Sequence, residues 1–84
     1  MSGRRAKRSD VSEAEVVAAC RAFHAGGPTP EEAMAHKYPP KVVLAKMEQL
    51  ARRGVLDYGV SLRTAWVVED VVLEAARRLL EGQP

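Results

Sequence analysis

The spacing of apolar positions changes along the chain, and each change marks an element. Val16, Cys20 and Phe23 recur at i, i+4 and i+7, the spacing of one buried helical face. Ser12 and Glu15 form an S-x-x-E capping box ahead of them, and Val11 with Val16 forms the matching hydrophobic staple. The pattern predicts a first helix that starts at Ser12 and ends at Ala25-Gly26-Gly27, where a glycine is free to take φ > 0. Thr29-Pro30-Glu31-Glu32 is a second start signal: Thr29 caps, Pro30 takes the first helical position, and Glu32 completes the box. That helix is short, because Tyr38-Pro39-Pro40 interrupts it and the residue before a proline avoids the α region.

A third helix is predicted from Pro40 to Arg53. With Met47 at the centre of its inward face, Val43, Leu44, Leu50 and Ala51 fall within about 60°. Lys41, Val42, Ala45, Glu48, Gln49, Arg52 and Arg53 fall outside, with Lys46 at the edge and Gly54 closing the helix. The period then shortens to that of strands. Val55 to Tyr58 reads as one strand, Gly59-Val60-Ser61-Leu62 as the turn, and Arg63 to Val68 as the return strand, with Thr64, Trp66 and Val68 on one face. Glu69-Asp70 opens a last helix whose apolar arc is unusually wide. Centred on Val72, the residues Val71, Leu73, Ala75, Ala76, Leu79 and Leu80 span about 200°. A helix apolar over half its girth has two partners to satisfy, its own domain and a second surface. Val71, Leu73, Ala76 and Leu80 are therefore the expected interface of a homodimer.

Composition narrows the class. Eighty-four residues, 46% hydrophobic and 29% charged, fit one small globular domain. No window holds the roughly 18 consecutive apolar residues of a membrane span, and no apolar run follows the basic N-terminus, so a cytoplasmic chain without a membrane partner is expected. Net charge is only +2, but it is segregated. Residues 1–8 carry +4 through Arg4, Arg5, Lys7 and Arg8, residues 10–32 carry −4, residues 37–63 carry +4, and residues 69–84 carry −2. Residues 1–9 lack apolar anchors and read as a flexible basic arm, with 10–84 as the single domain. A basic patch on a near-neutral body suits steering to a polyanion.

Other chemistries find little support. The lone cysteine, Cys20, lies on the buried face of the first helix, and His24 and His36 stand apart from it, so neither a disulfide nor a metal site is expected. No nucleophile–base pair, glycine-rich phosphate loop or paired carboxylates occur, so an enzyme or a cofactor is not expected. Phe23, Tyr38, Tyr58 and Trp66 are scattered over different elements, and core packing accounts better for Phe23 and Trp66 than a base-stacking platform does.

The order of short helix, proline turn, basic helix and hairpin over Thr29–Val68 resembles a winged helix-turn-helix. Leu50-Ala51-Arg52-Arg53-Gly54-Val55-Leu56 is similar to the Leu-x-x-x-Gly-Leu-Ile helix exit of the multiple-antibiotic-resistance-type regulators and related families. Val67-Val68-Glu69-Asp70 falls where those families lead from strand into last helix. The likeness spans residues 11–81, with a shorter hairpin and no added dimer or ligand domain. The usage of Ala, Val and Arg looks like that of compact winged-helix proteins from actinobacteria and their phages. The resemblance implies a mainly α fold with a small β-hairpin wing, and binding of double-stranded DNA as a small transcriptional regulator. The third helix would enter the major groove with Lys41, Val42, Ala45 and Gln49 facing the bases. Lys37, Lys46, Arg52, Arg53, Ser61 and Arg63 would meet phosphates, and Arg4, Arg5, Lys7 and Arg8 would add non-specific affinity. The alternative is a protein-interaction or phage assembly module of the same fold, contacting a partner through the apolar last helix and the acidic first helix.

Overall fold

The computed structural model describes residues 7–82. In order these form a 3-10 turn (Arg8–Asp10), α1 (Glu13–His24), α2 (Pro30–Ala33), α3 (Pro40–Arg52), β1 (Leu56–Asp57), a second 3-10 turn (Leu62–Thr64), β2 (Trp66–Val67) and α4 (Val68–Glu81). The fold is mainly helical with one small antiparallel sheet, in which Leu56 faces Val67 and Asp57 faces Trp66.

Local chemistry sets the helix ends. Ser12 Oγ accepts from the Glu15 N–H at 3.3 Å and starts α1. The return half of that box is not made, because the Glu15 carboxylate accepts instead from Lys37 Nζ at 2.8 Å and from the Tyr38 hydroxyl at 3.2 Å. At α2 the Glu32 carboxylate accepts from the Thr29 N–H (3.2 Å) and hydroxyl (2.7 Å), which fixes Pro30 as the first helical residue. Gly26 (φ +104°) and Gly54 (φ +82°) turn left-handed and end α1 and α3. At Gly54 the chain closes in a Schellman pattern: the Gly54 N–H donates to Ala51 O (3.1 Å) and the Val55 N–H to Leu50 O (2.9 Å). A Cβ at Gly54 would meet no atom within 4 Å, so only the backbone opposes it. Gly54→Ala is expected to cost about 1 kcal/mol, read as a lower urea midpoint at unchanged slope.

The core gathers one face from each element. Val11, Val16, Ala19 and Cys20 meet Met34, the α3 residues Val43, Met47 and Leu50, and Leu56, Ala65 and Val67 around the sheet. Met47 and Leu50 are fully buried at the centre, as the helical period predicts.

Three features differ from the sequence expectation. The hairpin is almost all loop: each strand has two residues, and 58–65 lie between them. Ser61 is the reason. Its Oγ accepts from the Arg63 N–H (3.2 Å) and its carbonyl accepts from the Thr64 hydroxyl (2.8 Å), so local side-chain bonds replace ladder bonds and make the second 3-10 turn. Val68 accordingly belongs to α4 rather than to the return strand. Next, Phe23 is not in the core but half-exposed, edge-on to His24 at 5.0 Å, and Trp66 is also half-exposed. Ala19 fills the inward position instead. Finally, the arm is structured at its root. Arg8–Asp10 form a turn closed by the Lys7 N–H on the Asp10 carboxylate at 2.8 Å, and that turn packs on α3.

α4 stands off the body. None of its residues is buried, and Val71, Val72, Leu73, Leu79 and Leu80 are 50–79% exposed. It is held by its continuity with β2 and by Arg21, which forks onto Asp70 at 2.8 and 2.9 Å. The radius of gyration, 14.9 Å, exceeds the roughly 12 Å of a compact chain this long, and the longest dimension is 62 Å.

Candidate nucleic-acid interface

α3 carries a narrow exposed stripe rather than a whole exposed face. Lys41, Glu48 and Arg52 are exposed along it, with Ala45 and Leu44 half-exposed between them. Lys41 and Ala45 were expected to face bases and lie on this stripe. Val42 and Gln49 were also expected there, and the structure places them otherwise. Val42 packs against the core, and Gln49 Oε1 is buried without a hydrogen-bond partner. Both 3-10 turns pack on α3, which narrows the surface it leaves to solvent. A buried amide oxygen without a donor costs about 1–3 kcal/mol, so Gln49 is a weak point of the helix and not a probe presented outward.

The cations expected to hold phosphates divide into two groups. Lys37 is bonded to Glu15 at 2.8 Å, Arg53 to Glu13 at 3.0 Å, Arg52 to Glu48 at 3.5 Å, and Arg63 to Glu31 at 2.7 Å. Each would have to release a carboxylate before meeting a phosphate. The pairing is visible in the titration of the partners. The hydrogen bond from Lys37 holds the Glu15 carboxyl below its ordinary value, and the bond to Glu15 raises the Lys37 ammonium. Arg21 lowers Asp70 by the same kind of bond. Among the described residues, the side-chain cations of Lys41, Lys46, Lys7 and Arg8 make no ion pair. Lys41 and Lys46 lie on α3, and Lys7 and Arg8 lie in or beside the turn packed against it. Arg4 and Arg5 lie outside the described residues. Ser61, also expected at phosphate, has its Oγ engaged by the Arg63 N–H.

Glu31 was missed in the sequence. It is 7% exposed, with one oxygen on Arg63 and Oε1 buried and unpartnered. The only signal was global: the −4 block of residues 10–32 and the +4 block of 37–63. Those blocks face each other, and much of the charge that suggested steering is spent within the fold.

Away from α3, residues of α1, β2 and α4 line a groove of about 580 Å³. Cys20, His24, Trp66, Val67, Val71 and Ala75 help to line it. His24 Nε2 is bonded to Ala65 O at 3.0 Å, which fixes the ring at the groove wall. Burial pushes the Cys20 thiol up to about 11, so it is neither a nucleophile nor a ready metal ligand. Of the residues expected at a dimer interface, Val71 lines the groove, whereas Leu73, Ala76 and Leu80 are exposed on α4.

The chain matches no protein-family model, no curated protein and no solved structure. The functional reading therefore rests on geometry alone. Two further facts bound it. No helix of the described residues is long and apolar enough to cross a membrane, and no group of three or more His, Cys, Asp or Glu among them is placed to hold a metal ion.

Proposed function

We propose that this chain is a small double-stranded-DNA-binding protein of winged-helix type, acting in transcription regulation. The observation that carries the reading is the group of unpaired cations at α3: Lys41 and Lys46 on the helix, with Lys7 and Arg8 at the root of the arm beside it. Three helices followed by a hairpin and a last helix is the element order such domains use. The base-facing group is Lys41 and Ala45, with the Glu48–Arg52 pair further along the same stripe. Ala45 lets the backbone approach a base pair, and Lys41 in the first turn reaches a guanine edge or a flanking phosphate. The loop 58–65, with Arg63 tied to Glu31, serves as a fixed shoulder rather than a reaching wing.

Anisotropy of labelled duplex DNA across a salt series tests this with the full chain. Lys41→Ala with Lys46→Ala is expected to reduce the slope of log affinity against log salt by about two, since each phosphate contact contributes about 0.9. Arg52→Ala and Arg53→Ala together are expected to change it by less than one, because both side chains begin paired. A slope that ignores Lys41 and Lys46 would remove the reading.

One observation favours a second reading, a protein-interaction or assembly module. Four expected phosphate ligands are already neutralised by carboxylates of the same chain. Under that reading DNA binding is confined to residues 1–8, and deleting them abolishes it while the Lys41 and Lys46 changes have no effect.

A further inference from the structure

α4 poses a physical problem that its own domain does not solve. An isolated helix shorter than about 12–15 residues is marginal in water, and proteins stabilise such helices by burying one face. α4 has 14 residues and buries none of them. The side facing the groove carries Asp70, Val71, Glu74, Ala75 and Arg78. By the helical period Val72, Leu73, Ala76, Leu79 and Leu80 then turn away from the body, and all five are exposed.

We propose that this outward stripe is the seat of a second copy of the same chain, with the two α4 helices packed antiparallel and crossing at Ala76. Charge selects the direction. Glu69, Asp70 and Glu74 occupy the first half of α4, and Arg77, Arg78 and Glu81 the second, so the two halves are net acidic and net basic. A parallel pair sets acid beside acid and arginine beside arginine. An antiparallel pair sets the acidic half of each helix along the basic half of the other. Crossing at Ala76 brings Val72 of one copy to Leu80 of the other and Leu73 to Leu79. Alanine at the crossing lets the axes approach toward the lower end of the 8–10 Å range.

Area agrees. The four large side chains of the stripe, Val72, Leu73, Leu79 and Leu80, present on the order of 500 Å². Closing two such faces removes on the order of 1,000 Å² from water, the threshold of a specific interface. The proposal is independent of DNA binding, because no residue of the stripe belongs to the α3 surface.

Sedimentation velocity of the full chain from 1 to 200 µM tests association, and cysteine cross-linking tests geometry. Cys20 is fully buried and its thiol is raised to about 11, so single cysteines can be added on a silent background. The wild-type chain is expected to sediment as a dimer, and Leu73→Glu with Leu80→Glu as a monomer. Those changes leave the circular-dichroism signature of the body in place, since α4 contributes nothing to the core. Ala76→Cys is expected to form an intermolecular disulfide under mild oxidation. Val72→Cys alone is expected not to do so, and Val72→Cys mixed with Leu80→Cys is expected to cross-link. A monomer at 200 µM overturns the proposal outright. Rapid cross-linking of Val72→Cys to itself overturns the antiparallel arrangement.

Discussion

Met47→Ala is expected to be the most damaging single truncation in the chain. Met47 is fully buried at the centre of α3 and belongs to the cluster that joins all three body helices to the sheet. Removing a buried methionine side chain costs about 2–5 kcal/mol, through lost transfer energy and the cavity left behind. A domain of this size has little reserve: at 0.05–0.15 kcal/mol per residue, total stability is roughly 4–12 kcal/mol. A loss of about 3 kcal/mol lowers the melting temperature by roughly 12–24 °C. Leu50→Ala should behave similarly. Leu73→Ala on α4 should shift the melt of the monomer by less than about 0.5 kcal/mol, because that residue is exposed and outside the core cluster. Calorimetry of the three variants at matched low concentration separates core from surface. Equal effects at Met47 and Leu73 would contradict the described core.

The second large effect is expected at Arg63, and it concerns stability rather than DNA. Its partner Glu31 has a side chain only 9% exposed, while Arg63 itself is 59% exposed. Taking the arginine away leaves a buried carboxylate with neither oxygen partnered. Breaking a fully buried pair costs about 3–5 kcal/mol; with one member largely in water, roughly 1–3 kcal/mol is expected. Arg63→Ala should therefore melt well below wild type, yet keep the DNA salt slope to within about one unit. Glu31→Gln keeps the shape and removes the charge, and should cost less than Arg63→Ala. A variant at Arg63 that folds normally but loses DNA would instead make this residue a phosphate ligand, as its position in the sequence suggested.

The contrast between those two predictions follows what the sequence could reveal. Helix ends were legible because their causes are local. Ser12 caps a backbone N–H three residues on, Thr29 and Glu32 bond each other, and Gly26 and Gly54 supply the left-handed turns. The inward face of α3 was legible for the same reason, since a 3.6-residue period needs no knowledge of the partner. Arg63 to Ala65 read as the start of the return strand but lie in the loop, because Ser61 and Thr64 offered the backbone closer partners than the opposite strand did. Phe23 kept the spacing of the core face but lost the inward place to Ala19.

The candidate site was less legible because its decisive partners are far apart in sequence. Arg63 and Glu31 lie 32 positions apart and Arg53 and Glu13 lie 40 apart. Nothing in the immediate neighbourhood of either cation foretells its acid. Counting positive residues on a helix face overstates the charge available to a polyanion wherever an acidic block elsewhere in the chain folds back on it. Lys41 and Lys46 retain their charge because no such acid reaches them.

Among the described residues the last one of the core is Val67. The core of the body is therefore complete without α4, which is attached to a finished domain. Assembly would then depend on the concentration of folded chains rather than on the folding reaction itself. In a dilute sample the amide hydrogens of α4 would exchange far ahead of those of α3, and raising the protein concentration would slow exchange in α4 alone.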